Sequence, residues 1–184
     1  MLNVNFDPFP EIKTERLLLR RVTDEDVEAI FNMRSDVRVM KYIGKKPIVS
    51  MEEARDWVKL IRDSLEKNAG ITWGIAERSS GDFSPLIGTI GLWRIIRENY
   101  RAEIGYMMIP DYWKKGLTKE AVLKVIDYGF NEMKLHSIEA HISPKNIGSA
   151  TLLEKTGFVR EAYFKEDFFF DGVFEDTAIY SLLA

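Results

Sequence analysis

The sequence predicts a single α+β domain, spanning residues 1–184, with a central mixed, mostly antiparallel sheet and helices on both faces. The length suits one domain. Apolar segments of strand length follow one another in the middle of the chain, as antiparallel neighbours do, and a strand–helix–strand unit comes after them. Helical segments occur before, between and after these strands, so we expect the sheet to be covered on both sides.

The first third of the chain predicts one strand and two helices. A leucine-rich segment, 16–22, is apolar enough to be a buried strand. Thr23 with Asp26, and later Ser50 with Glu53, resemble capping boxes, in which two side chains satisfy free N–H groups at a helix start. The first helix places Val27, Ile30, Phe31 and Arg34 at helical spacing. The second carries an apolar stripe of Ala54, Trp57, Val58, Ile61 and Leu65.

The rest of the chain alternates strands with two further helices. The predicted elements are strands at 71–77 and 86–94 joined by a turn at 79–82, a strand at 102–109, a helix at 117–133, a strand at 137–142, a helix at 146–155 and strands at 159–169 and 174–183. Gly157 is placed to end the last helix. Asp171 and Gly172 favour a tight turn between the last two strands.

Composition excludes several classes of function. The 26 basic and 29 acidic residues give a formal net charge of −3, which is no footprint for nucleic acid. The absence of cysteine excludes thiolate chemistry and disulfides, and it fits the cytoplasm. No apolar run approaches the roughly 20 residues of a membrane helix, and the first residues lack the order of a signal peptide. We therefore expect a cytoplasmic protein without nucleic-acid or membrane partners.

The most informative segment is Tyr-Trp-Lys-Lys-Gly-Leu-Thr-Lys-Glu-Ala at 112–121. It joins a predicted strand to an amphipathic helix through a turn that contains one glycine and several lysines. This arrangement presents backbone N–H groups and a helix N-terminus, which together bind anions such as phosphate. The alternative is an ordinary strand-to-helix turn with surface lysines.

Three segments extend this interpretation: Glu-Ile-Gly-Tyr at 103–106, the turn at 113–121, and Asn-Ile-Gly-Ser-Ala-Thr-Leu-Leu-Glu-Lys-Thr-Gly-Phe at 146–158. In this order and spacing they resemble the GCN5-related N-acetyltransferase (GNAT) superfamily, and within it the RimJ/RimL-like ribosomal-protein N-acetyltransferases. The resemblance covers nearly the whole chain, including Thr-Glu-Arg-Leu-Leu-Leu-Arg at 14–20. It implies the acyl-CoA N-acyltransferase fold and direct acetyl transfer from acetyl-CoA to a primary amine, preferably the α-amine of a protein N-terminus. The alternatives are a small amine acceptor, such as an antibiotic or a polyamine, and a catalytically idle acyl-CoA-binding module.

The resemblance also implies which residues bind acetyl-CoA. The pyrophosphate would lie on the backbone and charges of Lys114, Lys115, Gly116, Leu117, Thr118 and Lys119. Two positions depart from the superfamily pattern: Trp113 replaces Gln or Arg, as is common in the RimL-like branch, and Thr118 is larger than the usual Gly or Ala. The strand at 103–109 would separate from its parallel neighbour, and the backbone of Met107, Met108 and Ile109 would bind the pantetheine arm. The two methionine side chains would then be core residues. Asn146 would contact the cofactor, and its alternative role is a helix N-cap.

Glu103 and Ser149 are the catalytic candidates that the resemblance implies. Glu103 would act as a base through water, which suffices for an α-amine because roughly a tenth of such amines are neutral at pH 7. Its alternative role is a salt bridge to Arg94 or Arg101 across strands. Leu153 stands where many GNAT enzymes carry a tyrosine that protonates the departing thiolate. Ser149 is therefore the candidate for that role.

Two further features carry weaker predictions. His136 and His141 lie on opposite faces of a short strand with no carboxylate cluster beside them, so no metal site is expected. Phe168, Phe169 and Phe170 lie among acidic residues in the final hairpin. We expect that hairpin to have one buried and one solvated face, or to form a homodimer contact. The alternative is that it receives a cationic acceptor. The identity of the acceptor would be set by loops such as 40–50 and by this hairpin.

Overall fold

The computed structural model describes residues 1–78 and 84–184, so the turn predicted at 79–82 lies outside the described residues. Its strands are β1 (Ile12–Lys13), β2 (Leu17–Arg21), β3 (Ile71–Glu77), β4 (Leu86–Ile96), β5 (Arg101–Met108), β6 (Ser137–Ile142), β7 (Val159–Phe170) and β8 (Val173–Leu183). Its helices are α1 (Val27–Ser35), α2 (Val37–Met40), α3 (Met51–Glu66), α4 (Leu117–Asn131) and α5 (Ile147–Lys155).

The described strands form one sheet in the order β1-β2-β3-β4-β5-β6-β8-β7. Strands β5 and β6, which α4 connects, are parallel. Every other neighbouring pair in this sheet is antiparallel. The predicted mixed, mostly antiparallel sheet is therefore confirmed.

The sheet opens at its centre. Strand β5 pairs with β4 as far as Met108, but it pairs with β6 only from Arg101 to Glu103. Strand β6 instead stays paired with β8 up to Ile142. Beyond Glu103 the two parallel strands therefore separate, as the family resemblance implied, and the exposed edge of β5 becomes one wall of a cleft.

Helices cover both faces of the sheet, as predicted. Apolar residues of α4 and α5, including Val122 and Leu153, pack with the sheet in the larger core. Residues of α1 and α3, including Ile30 and Val58, form a second core on the other face. Only half of the capping box predicted for α3 forms: the Ser50 hydroxyl accepts the N–H of Glu53 at 3.2 Å, but the Glu53 carboxylate accepts the N–H of Val49 rather than that of Ser50. Among the described helices, none is long and apolar enough to cross a bilayer.

The differences from the predicted elements concern short segments. Strand β1 has two residues and α2 has four. The sequence analysis missed both because such segments are too short to show periodicity. Asp36 caps α2 by accepting the N–H of Arg38 at 2.8 Å. Helix α4 ends at Asn131 rather than at 133.

Candidate functional site

A cleft of about 500 Å³ lies where β5 and β6 separate. It is lined by side chains from α1 and α3 on one side and from β5, β6 and α5 on the other. A second chamber of about 520 Å³, toward the β7–β8 hairpin, shares part of this lining, including Glu103 and His141. The site therefore has a deep part at the strand separation and an outer part beneath the final hairpin.

The turn before α4 has the backbone conformation of an anion cradle. Lys114 and Gly116 both have positive φ, 60° and 78°, and Gly116 is the N-cap of α4 without a side-chain cap. The first helical N–H groups are therefore left for an external acceptor. The indole N–H of Trp113 donates to the carbonyl of Met108 at 2.6 Å, which fixes the turn to the end of β5. This contact gives the unusual Trp113 a structural role.

The first turn of α4 is anchored to the residues before β2. The carboxylate of Glu120 accepts the Nε–H of Arg16 at 2.7 Å and its backbone N–H at 2.9 Å. It also accepts the hydroxyl of Thr14. Burial raises the pKa of Glu120, but the hydrogen bonds from Thr14 and Arg16 outweigh that effect, so its pKa lies below the usual range. The negative charge of Glu120 is thus already compensated, and the exposed Lys114, Lys115 and Lys119 leave the turn cationic.

The open edge of β5 does not present the backbone of all three predicted residues. The N–H of Ile109 donates to the carbonyl of Ile87 at 2.9 Å, so it is engaged in the sheet. Alternation along the strand directs the N–H and C=O of Met107 toward β4 as well, and the N–H and C=O of Tyr106 toward the cleft. The N–H of Met108 also faces the cleft, whereas its carbonyl accepts the indole N–H of Trp113. The side chains of Met107 and Met108 pack in the two cores, as expected.

Tyr106 and Ser149 form a hydrogen-bonded pair in the deep part of the cleft. Their hydroxyl oxygens are 2.7 Å apart, and Ser149 is buried. Burial raises the pKa of Tyr106 to about 12, although the hydrogen bond to Ser149 acts in the opposite direction. The side chain of Asn146 accepts the N–H of Ser149 at 3.1 Å, so the N-cap role of Asn146 is confirmed. Leu153 is fully buried.

Tyr106 is the functional candidate that the sequence analysis missed. It stands in the quoted Glu-Ile-Gly-Tyr segment, but its partner is 43 residues away. Only the packing of α5 beside the open edge of β5 brings the two hydroxyls together.

Glu103 lies at the last paired position of β5 and β6, opposite Glu139. Its carboxylate accepts a hydrogen bond from Arg94 at 2.7 Å, which confirms one of the two salt bridges considered. Arg101 instead lies 3.5 Å from Glu139, and His141 lies 3.4 Å from the same carboxylate.

The expectation that no carboxylates cluster near His141 is wrong. The candidate ligand atoms of Glu103, Glu139 and His141 all lie within 4.8 Å of one another. The parallel register places the two glutamates side by side, and residues 139 and 141 share a face of β6. Two arginines compensate these carboxylates, so the cluster does not require a cation. The absence of a metal stays a prediction.

The outer chamber lies between the loop at 41–44 and the final hairpin. Phe168 and Phe170 stack with ring centroids 6.2 Å apart, and Phe168 lies directly over Gly44. Lys46 is 3.0 Å from Asp171, so loop and hairpin are also joined by an ion pair. Several aromatic side chains of the hairpin remain exposed, including Phe169. The acceptor-binding and homodimer roles of this hairpin stay predictions.

Comparison with known proteins identifies the family. A family profile described as an acetyltransferase (GNAT) domain matches residues 16–159. The chain belongs to the GNAT family. The uncharacterized N-acetyltransferase YoaA of Bacillus subtilis is 38% identical over 175 residues, covering 95% of this chain and 97% of YoaA.

Solved GNAT structures show the same fold. A GNAT-family acetyltransferase from Bacillus anthracis superposes with a TM-score of 0.83 and is 32% identical, covering 95% of this chain and 98% of its own. A spermidine N-acetyltransferase from Vibrio cholerae, in complex with CoA and spermine, gives a TM-score of 0.80 at 26% identity. The superposition covers 92% of this chain and 96% of the Vibrio cholerae chain. The protein is therefore an acetyl-CoA-dependent N-acetyltransferase of the GNAT fold.

Proposed function

We propose that this GNAT enzyme acetylates the α-amine of a protein N-terminus, as RimJ/RimL-like enzymes do. The observation that carries the proposal is the cleft at the strand separation, which is lined by both Glu103 and the hydrogen-bonded Tyr106–Ser149 pair. This arrangement offers a proton acceptor for an amine and hydroxyl donors for a leaving thiolate. We also propose a cytoplasmic location, with which the absence of cysteine is consistent.

The turn at 113–119 suits the pyrophosphate of acetyl-CoA. The N–H of Glu120 bonds to the carbonyl of Gly116, so the three preceding helical N–H groups have no partner within the helix. Those groups belong to Leu117, Thr118 and Lys119. Exposed lysines, Lys114 and Lys115 among them, supply charge around them. Thr118 is half-buried, and its backbone rather than its side chain carries the proposed contact.

The open edge of β5 suits the pantetheine arm. We assign its backbone contacts to the N–H and C=O of Tyr106 and to the N–H of Met108, because the peptide groups of Met107 and Ile109 face β4. The two latter residues would contribute only by fixing the strand. Asn146 holds the N-terminus of α5 and thereby positions Ser149 beside the same edge.

The transfer forms a nitrogen–carbon bond and breaks the carbon–sulfur bond of the thioester. The attacking amine must lose a proton, and we assign its acceptance, through water, to Glu103. The sulfur leaves with the electron pair and needs a hydrogen-bond donor. Tyr106 and Ser149 each carry one hydroxyl hydrogen, and the hydrogen bond between them uses one of the two. The remaining hydroxyl hydrogen can therefore be donated to the sulfur. The raised pKa of Tyr106 keeps its proton in place.

A small polyamine is the second candidate acceptor. The outer chamber includes the carboxylates of Asp167, Glu175 and Asp176, which would favour a cation. The Vibrio cholerae relative whose structure contains spermine makes this acceptor worth testing. Within that chamber, however, Lys145 already pairs with Glu175 at 2.7 Å.

The test offers acetyl-CoA with a panel of N-terminal peptides and small amines and measures free thiol. We expect turnover on peptides and a loss of roughly 100-fold in kcat for Glu103→Gln, within the usual contribution of a general base. Ser149→Ala should also lower kcat. Glu98→Gln is the matched control, because Glu98 is exposed and lies outside the cleft.

Two results would count against the proposal. Undiminished thiol release in both cleft variants would remove the roles of Glu103 and Ser149. Binding of acetyl-CoA without turnover on any amine would favour an idle acyl-CoA-binding module.

A further inference from the structure

Arg34 is a buried arginine in the wall of the cleft. It lies near the end of α1, is 5% exposed and lines the deep part of the site. One of its terminal nitrogens lies 3.7 Å from the sulfur of Met107, and its guanidinium lies 4.7 Å from the centre of the Trp57 ring. Within residues 1–78 and 84–184 no carboxylate pairs with it, and its Nε–H has no hydrogen-bond partner.

This environment leaves the guanidinium charge of Arg34 with too few hydrogen-bond and ion-pair partners. A guanidinium has five N–H donors and keeps its proton in proteins. A thioether and an aromatic face compensate only part of its lost hydration. Burial is the cause that lowers the pKa of Arg34. Arg20 shows the contrast, since Asp26 binds both of its terminal nitrogens at 2.7 and 2.8 Å and raises its pKa.

Arg34 lines the same cleft as the groups that we assign to the reaction, namely Glu103 and the strand segment that contains Tyr106. Its contact residue, Met107, follows Tyr106 directly in β5. Residues 103 and 107 are an even number apart, so Glu103 and Met107 project from the same face of the strand. Arg34 therefore lies on the face from which Glu103 would act on the amine, beside the strand segment assigned to the thioester arm.

We propose that Arg34 binds a carboxylate of the acceptor. Planar guanidinium and carboxylate groups match in bidentate geometry, and the bound anion would neutralise the buried charge. The inference rests on the proposed function, which places the acceptor amine in this cleft. The carboxylate belongs to an acidic side chain next to the N-terminal residue of a protein or to the α-carboxylate of a free amino acid. Polyamines carry no such group, so the site selects against them.

Matched acceptors test the proposal. Peptides beginning Ser-Asp and Ser-Asn differ in one charge at nearly equal size, and free serine and serine amide differ in the same way. We expect kcat/KM to be roughly 10- to 100-fold higher for the charged member of at least one pair, as a charge-assisted hydrogen bond predicts. The pair that shows the preference identifies the source of the carboxylate. Spermidine should be a poor acceptor.

Arg34→Met should abolish the preference while keeping a side chain of similar length. The melting temperature of the Arg34→Met variant should equal or exceed that of the parent, since removing an unpaired buried charge is not destabilising. Arg34→Lys keeps the charge without the planar fork, and it should retain only part of the preference. Arg38→Met is the control, because Arg38 is exposed and already paired with Asp36 at 2.6 Å. That variant should discriminate as the parent does.

Equal kcat/KM within both pairs would overturn the proposal, as would a preference that survives Arg34→Met. Lys45 is an exposed cation that also lines the cleft, and a preference that disappears with Lys45→Met instead would overturn the proposal too. The change in melting temperature that the same peptides cause measures binding without turnover. It therefore separates the proposed carboxylate site from the proposed catalytic function. A shift by Ser-Asp peptide that Arg34→Met removes, without thiol release on any amine, would support the carboxylate site and contradict the proposed function.

Discussion

The two sides of the cleft are built differently. The proposed cofactor side consists mainly of backbone, held in one contiguous turn at 113–119 and along the open edge of β5. The proposed acceptor side consists of side chains from α1, α3, the loop at 41–44 and the final hairpin. Backbone contacts tolerate sequence change, whereas side chains define a particular partner. A GNAT chain can therefore keep one cosubstrate while the acceptor differs between relatives.

The largest expected effect falls on the cofactor side. Gly116→Val places a β-branched residue at a φ of 78°, which costs about 1–3 kcal/mol. If the turn changes shape to relieve this strain, the KM for acetyl-CoA should rise roughly 5- to 100-fold while the KM for the acceptor stays constant. Steady-state kinetics with each substrate varied in turn measures this.

Gly172→Val provides the matched control. Gly172 also has a positive φ, 84°, and an added Cβ there would meet no atom within 4 Å. Its strain should lower stability without changing the KM for acetyl-CoA. Equal changes in KM for the two variants would mean that the turn at 113–119 has no special relation to the cofactor.

The next effect tests the hydroxyl pair at the boundary between the two sides. Tyr106→Phe removes one hydroxyl and should lower kcat roughly tenfold, the value of one hydrogen bond, with little change in either KM. In the Ser149→Ala background the same substitution should have almost no further effect, because the two hydroxyls act together. Independent, multiplicative losses would show that the pair does not act as a unit.

A smaller effect concerns the anchor of the cofactor turn. Glu120→Gln should destabilise the fold by about 1 kcal/mol, since it weakens hydrogen bonds to a charged group. The folded-state pKa of Glu120 is lowered, so its contribution is present above the unfolded pKa of glutamate and is lost as pH falls through the folded pKa. Urea unfolding of parent and variant should thus differ at pH 7 and converge in strong acid. A difference that grows on acidification would contradict the assignment.

The smallest effect is expected where the acceptor loop meets the hairpin. Lys46 and Asp171 are both largely exposed, so their ion pair is weakened by water and salt. Lys46→Met should change stability by less than about 0.5 kcal/mol. A loss of several kcal/mol in thermal unfolding would show that this contact is a main support of the outer chamber.

The geometry of the turn at 113–119 was more accessible from the sequence than the side-chain contacts of the cleft, for a physical reason. The turn, its glycine and its lysines are contiguous, so their geometry follows from local backbone rules. The Tyr106–Ser149 contact and the Glu103–Glu139 register require the packing of α5 and the parallel pairing of β5 with β6. Arg34 did carry a signal, because it occupies an apolar-face position of α1, but its lack of a partner is visible only in the fold.

The most direct test of the central claim is to locate the acetyl group by mass spectrometry. The acceptor is a peptide that begins Ser-Asp and contains one internal lysine, incubated with acetyl-CoA and either the parent enzyme or Glu103→Gln. The account predicts acetylation of the α-amine by the parent, an unmodified lysine, and strongly reduced product with the variant. Acetylation of the lysine alone, or equal α-amine product from both proteins, would contradict it.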